Sequence, residues 1–220
     1  MKYTVEIPNL SDITLEQYQK YLMLDKKQDE IFYMQKIIEI FCNVDNKTAL
    51  NTKYHSLSEA TSYIMGLFEK KPPHQLQFKM NGVEYGFVHL DDITFGEFVD
   101  LDTYIAEPEN LHKAFAVLYR PIKHKYKDYY NISDYNPAAS YIMKKTPLNI
   151  VLGAIGFFLS LSLDLHSNLT IYLANQMKNL TPQQAELSKI DGDGMHQYIS
   201  YLVKAYSNLT KWRRSDYINV

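Results

Sequence analysis

The sequence predicts an α+β fold, predominantly α-helical, with a helical core and a small three-stranded sheet. Three observations carry that prediction. Apolar residues recur near the helical period through most of the chain, in segments that open on Ser, Thr, Asp or Asn. One stretch, QLQFKMNGVEYGFVHL, breaks that rhythm around Asn81-Gly82, a residue pair favoured in two-residue hairpin turns. The 220 residues, 46% hydrophobic and 22% charged, have globular composition and enough length for a buried core.

The elements follow in order. KYTVEIP alternates and stops at Pro8, which predicts a short N-terminal strand beside the hairpin. Helical patterns run from Thr14 to about Met23 and from Asp29 to Phe41, the second with Ile31, Met34, Ile38 and Phe41 as its stripe. Ser56 and Glu59 have capping-box spacing for a helix reaching about Lys70, before Pro72-Pro73. Beyond the hairpin, a helix runs from Thr94 to about Ile105. Pro108 fits the first turn of the next, whose face is Leu111, Ala114, Phe115 and Leu118, and which ends before Pro121. Asn136-Pro137, Thr146-Pro147 and Thr181-Pro182 each read as an N-cap followed by proline at the first helical position. A last long helix is expected from after Gly194 to about Trp212. No low-complexity linker divides the chain. We read residues 1–180 as one helical domain with the sheet, and 181–220 as a C-terminal helical extension and candidate interaction arm.

One motif occurs twice, as SDITLEQY from Ser11 and DDITFGEF from Asp91. With Thr14 and Thr94 as N-caps, Gln17 and Glu97 fall at the third helical position. Ile13 with Tyr18, and Ile93 with Phe98, are then staple partners. A metal reading would use Asp12 or Asp91-Asp92, yet no further ligand recurs at matching spacing, so the structural reading prevails. Because a predicted strand precedes each copy, a duplicated strand-to-helix unit is a further expectation.

Few chemistries find support. The net charge of -2 argues against a protein built mainly to bind a polyanion. One cysteine, Cys42, excludes an internal disulfide framework and reads as a packed side chain at a helix end. The start, MKYTVEIPNL, lacks a signal peptide's apolar core, so folding in a reducing cytoplasm is expected and the sequons at Asn168, Asn179 and Asn208 carry no meaning. PLNIVLGAIGFFLSLSLDL holds Asn149, Ser160, Ser162 and Asp164, and reads as a buried central helix rather than a membrane span. Its Gly153 and Gly156 would admit a close helix. IDGDGMH, Ile190 to His196, opens like a calcium loop but has Met195 and Leu202 where oxygen ligands belong. The seven histidines show no zinc spacing, and no nucleotide or nucleophile motif occurs. We therefore expect no enzyme, with no catalytic, cofactor-binding or metal-binding residues.

Charge is patterned. Between Lys79 and Lys113 lie eight acids and no Lys or Arg: Glu84, Asp91, Asp92, Glu97, Asp100, Asp102, Glu107 and Glu109. A basic, tyrosine-rich stretch follows, with Lys113, Arg120, Lys123, Lys125 and Lys127. Lys211-Trp212-Arg213-Arg214 forms a second basic knot. Head-to-tail self-association, local nucleic-acid contact and two solvated faces are all compatible with this pattern. The 19 tyrosines suit half-buried surfaces and surfaces buried on assembly.

The block FKMNGVEYGFVHLDDITFGEFVDLDTYI, then LHKAFAVLYRPI, then TPLNIVLGAIGFFLSL, resembles a family of virion-associated structural proteins from crAss-like and related Bacteroidetes tailed phages. DITLEQYQKYL is similar to that family's N-terminal signature, and the likeness covers most of residues 1 to 165. It implies a ring-forming subunit of the tail barrel below the portal, or a cargo protein packaged in capsid or tail. The implied partners are copies of itself in a cyclic homo-oligomer and other tail or portal ring proteins, with contact to phage DNA or cargo as a further expectation and no membrane. The implied location is the virion tail, after folding in the bacterial host cytoplasm. A cytoplasmic tail-assembly chaperone is an alternative of another class.

Overall fold

The computed structural model describes residues 6–25, 29–127 and 129–160. The chain divides into two compact units, 1–154 and 155–220, and the fold below is that of the first. Helix α1 spans Leu15–Leu22, α2 Glu30–Cys42, α3 Asn46–Leu50 and α4 Tyr54–Phe68. The hairpin strands β1, Gln77–Met80, and β2, Val83–Phe87, follow, then α5, Phe95–Ile105, and α6, Leu111–Leu118. Strands β3, Tyr119–Tyr126, and β4, Tyr129–Ile132, come next, and then a 3-10 segment, Pro137–Lys145. Residues 148–160 are helical and are called α7, of which 148–154 belong to the first unit.

The sheet has four antiparallel strands in the order β1-β2-β3-β4, not three. Its third and fourth strands come from the basic stretch rather than from the N-terminus. Residues 1–5 of the expected N-terminal strand lie outside the described residues, and Glu6 to Pro8 form no strand. Pro121 hid β3, since proline lacks a ladder donor. Here it stands opposite Tyr85, and the carbonyl it retains accepts the Ser133 N–H at 2.8 Å. The β1–β2 turn is as expected, with Asn81 and Gly82 both left-handed, at φ 51° and 80°.

Helix starts show where local signals win and lose. Asp29 caps α2 through the Ile31 N–H, and Asn136 caps the 3-10 segment through the Ala138 N–H. Ser56 caps nothing. Helix α4 begins one turn earlier, where the Leu57 N–H reaches the Lys53 carbonyl, and so Ser56 lies inside it. Thr146 also differs from expectation: it is fully buried, and its carbonyl accepts the Leu15 N–H at 2.8 Å while the Leu148 N–H reaches Ile13. That two-bond bridge, Thr14 with Pro147, ties the start of α1 to the start of α7.

Two aromatic groups anchor the core. Tyr18, Tyr21, Phe41 and Phe68 join α1, α2 and α4 with ring centroids 5.2–6.0 Å apart. Tyr119 is surrounded by Phe78, Phe87 and Phe115 at 5.1–5.9 Å, fastening the sheet to α6. Leu111, Ala114, Phe115 and Leu118 of α6 are all buried, as predicted, and α6 packs on α5 and on the 3-10 segment. Leu148, Ile150, Val151 and Ala154 of α7 are buried too.

Gly153 does admit a close neighbour, but that neighbour is the Pro73-His74 backbone and not a helix. An added Cβ would lie 2.5 Å from the Pro73 carbonyl oxygen, whereas at Gly156 it meets no described atom within 4 Å. Backbone cannot swing aside as a side chain can. Gly153→Ala should therefore lower stability by about 1–3 kcal/mol, as read by urea denaturation, the range for overpacking. An unchanged midpoint would show that the Pro73-His74 backbone yields freely. The Thr181-Pro182 start, the helix after Gly194, the Ile190–His196 loop, the three sequons, the Lys211–Arg214 knot and the 181–220 extension lie outside the described residues.

Candidate interaction site

The repeated motif forms two capping boxes. Thr14 and Thr94 accept the Gln17 and Glu97 backbone N–H groups at 3.3 Å, and the Gln and Glu side chains accept the threonine N–H groups at 2.9 Å. No strand precedes the first copy within residues 6–9, so the described residues do not carry a strand-to-helix duplication. Asp12 accepts the Asn9 N–H in a local turn, and Asp91 and Asp92 sit in a 3-10 turn, Leu90–Asp92. Among the described residues, no group of three or more His, Cys, Asp or Glu side chains could hold a metal ion.

Each box also fastens its helix to a distant element, which spacing alone could not reveal. The Gln17 amide donates to the Ile40 carbonyl at 2.8 Å, near the end of α2. Glu97 instead holds Arg120 of β3, Nη1 to Oε1 at 2.9 Å, with both side chains 9% exposed. One copy needs a donor for a carbonyl and the other a charge for a guanidinium, which accounts for the Gln/Glu difference. Gln17→Glu keeps the cap acceptor but turns a carboxylate toward the Ile40 carbonyl. Its expected cost is about 1–3 kcal/mol in a denaturation midpoint, the penalty for a lost bond and an unsatisfied acceptor. A loss no larger than that of an exposed Gln→Glu change would show that solvent replaces the bond.

Arg120 lies at the floor of an open cleft of about 790 Å³ between α5 and the β3–β4 hairpin. Its Nε donates to the Val117 carbonyl at 3.2 Å and Nη1 to the Ser133 carbonyl at 3.5 Å, with the Tyr135 ring 5.9 Å away. The Tyr135 hydroxyl donates to Asp100 at 3.0 Å. Burial first, and then that bond, push the phenol far above its ordinary value. Tyr130 crosses β3 to cover Gly86 and donates to the Phe87 carbonyl at 2.8 Å, while His89 stacks on its ring. The cleft's polar groups are largely engaged with one another, and the cleft is a braced seam. On the opposite end of the acidic segment, Gln19 donates to the Pro108 and Glu109 carbonyls at 2.7 and 2.8 Å.

The acidic and basic segments thus meet first within the chain, at Glu97–Arg120 and at Glu84–Lys125, 2.6 Å. Lys123 pairs with Asp134 at 3.3 Å. The last two pairs are solvent-exposed and weak. Two exposed surfaces lie beside these pairings. Helix α5 buries Glu97, Leu101 and Ile105, and its outer face carries Phe95, 83% exposed, with Val99 and Phe98 also exposed. Asp91, Asp92 and Asp102 flank that face. The second surface is the β3–β4 hairpin. Its pairing with β2 ends at Tyr85–Pro121, a bulge follows between Ile122 and His124, and the ribbon beyond carries Tyr126 and Tyr129, 74% and 82% exposed. Lys127 lies over the Tyr126 ring at 5.6 Å.

Cys42 is half-buried, and desolvation raises its thiol pKa. Among the described residues no helix is long and apolar enough to cross a membrane. Compared with protein-family models, curated proteins and solved structures, the chain matches none.

Proposed function

We propose that this chain is a non-catalytic structural subunit of a short-tailed phage virion, forming a ring in the tail barrel below the portal. The observation that supports this best is the presence of two unlike exposed surfaces on one unit. One is apolar and acid-rimmed on α5, the other tyrosine-rich and basic on the β3–β4 hairpin. Different patches that attract one another favour heterologous, head-to-tail contacts, which close into rings where the rotation permits. The sequence resemblance to virion proteins of crAss-like phages supplies the setting, and the braced α5 and hairpin suit a part whose job is geometry.

Quantitative proteomics and symmetric reconstruction of purified particles test this. The expected result is a copy number locked to that of the portal and density in a tail ring. Variable copy number with no symmetric density would replace the reading with packaged cargo. Presence in infected cells but absence from particles would replace it with a tail-assembly chaperone.

A further inference from the structure

We infer that the joint between copies is the tip of the β3–β4 hairpin of one chain seated on the outer face of α5 of the next. This rests on the proposal of a ring-forming subunit and names the contact that would close it. Amphipathic helices turn apolar residues inward, yet α5 turns Phe95 and Val99 outward while spending its inner face on Leu101, Ile105 and the ion-paired Glu97. An aromatic 83% exposed on a helix held at both ends of its first turn is preorganised for a partner rather than loosely placed.

Charge complementarity selects the occupant. The 33 residues from Met80 to His112 contain no Lys or Arg, so the rim of this face is acidic and suits an aromatic surface with cations beside it. The hairpin tip is such a surface. Tyr126 and Tyr129 are cross-strand partners at its end, Lys127 lies over the Tyr126 ring, and Lys125 precedes Tyr126 in the chain. Tyrosines offer large rigid contact area at low entropic cost, and lysine stems cover apolar surface while their heads reach carboxylates. The exposed Lys125–Glu84 pair is weak enough to exchange partners on docking. The tip and the α5 face are different patches, so the contact is heterologous, and each copy keeps one free end until the ring closes.

The test uses the full chain. Phe95→Asp removes the face, and Tyr129→Asp combined with Lys127→Glu removes the tip. All of these side chains are exposed, so the variants should keep the wild-type circular dichroism and melting profile. Analytical ultracentrifugation should show wild-type self-association, weakened roughly 30-fold or more in either variant, the scale of a central aromatic anchor. Mixing the two variants should restore a one-to-one dimer and nothing larger, because each supplies the half that the other lacks. A benzoylphenylalanine at position 95 should crosslink to residues 125–129 of an isotopically labelled second copy. The inference is overturned if wild type stays monomeric at every concentration, if both variants assemble like wild type, if the mixture stays monomeric, or if the crosslink lands on residues 161–220 of the same chain. Particle analysis separates the two ideas. A ring subunit whose variants still assemble sinks only the joint, and a self-associating chain absent from virions sinks only the virion role.

Discussion

Replacing Glu97 by alanine should cost about 3–5 kcal/mol, among the largest losses available to a single substitution here, because it strands a buried guanidinium. Arg120 and Glu97 side chains are each 9% exposed, and without the carboxylate Arg120 keeps, among the described residues, only carbonyl acceptors and the Tyr135 ring. The same change removes the acceptor of the Thr94 N–H, about 1 kcal/mol of that total. Glu97→Gln retains the cap acceptor and loses the charge, so its midpoint in urea should fall between wild type and Glu97→Ala. Removing both partners, Glu97→Leu with Arg120→Met, should cost less than the sum of the single changes, since no charge is then left unpaired. A loss below about 1 kcal/mol for Glu97→Ala would mean that water enters the seam and screens the pair.

Tyr119→Ala should be comparably damaging, at about 3–5 kcal/mol, because it opens a cavity where α6 becomes β3. Tyr119 is wholly buried among Phe78, Phe87 and Phe115, and its hydroxyl donates to the Gln75 carbonyl at 2.8 Å. Burial raises its phenol pKa, so it remains a neutral donor at any ordinary pH. Tyr119→Phe isolates that bond and should cost only about 1 kcal/mol. Equal losses in the two variants would place the residue's worth in the hydrogen bond and not in ring packing. Both residues matter to the proposed role in the same way. They fix the angles of α5 and of the hairpin, the two elements that carry the exposed surfaces.

How much of this was legible beforehand depended on the distance over which each signal acts. The helix start at Asp29, the Asn81-Gly82 turn, both Thr capping boxes and the buried face of α6 follow from neighbours within one turn of chain, and all are present. The residues at the two staple positions differ in burial: Ile13 and Tyr18 are buried and Phe98 is 40% exposed, because the first helix start lies against α7 and the second lies at the surface. Ser56 misled because a box pattern inside a helix looks the same as one at its start. Strand β3 was missed because Pro121 and a run of lysines argue locally against a strand, and only pairing with Tyr85 and Ser133 overrides them.

Local chemistry, then, determined that SDITLEQY and DDITFGEF are helix starts rather than metal sites, since threonine and a third-position Gln or Glu satisfy orphan N–H groups wherever they occur. Tertiary structure alone decided what the second acceptor or donor of each box would reach, a carbonyl of α2 in one case and a buried arginine of β3 in the other. The same holds for charge. Composition showed an acidic run followed by a basic one, but only the fold decided which charges pair inside the chain and which aromatic faces stay open to a neighbour. The pairs depend on the three-dimensional proximity of side chains that lie 11 (Lys123–Asp134) to 41 (Glu84–Lys125) residues apart in sequence, and no local propensity encodes it.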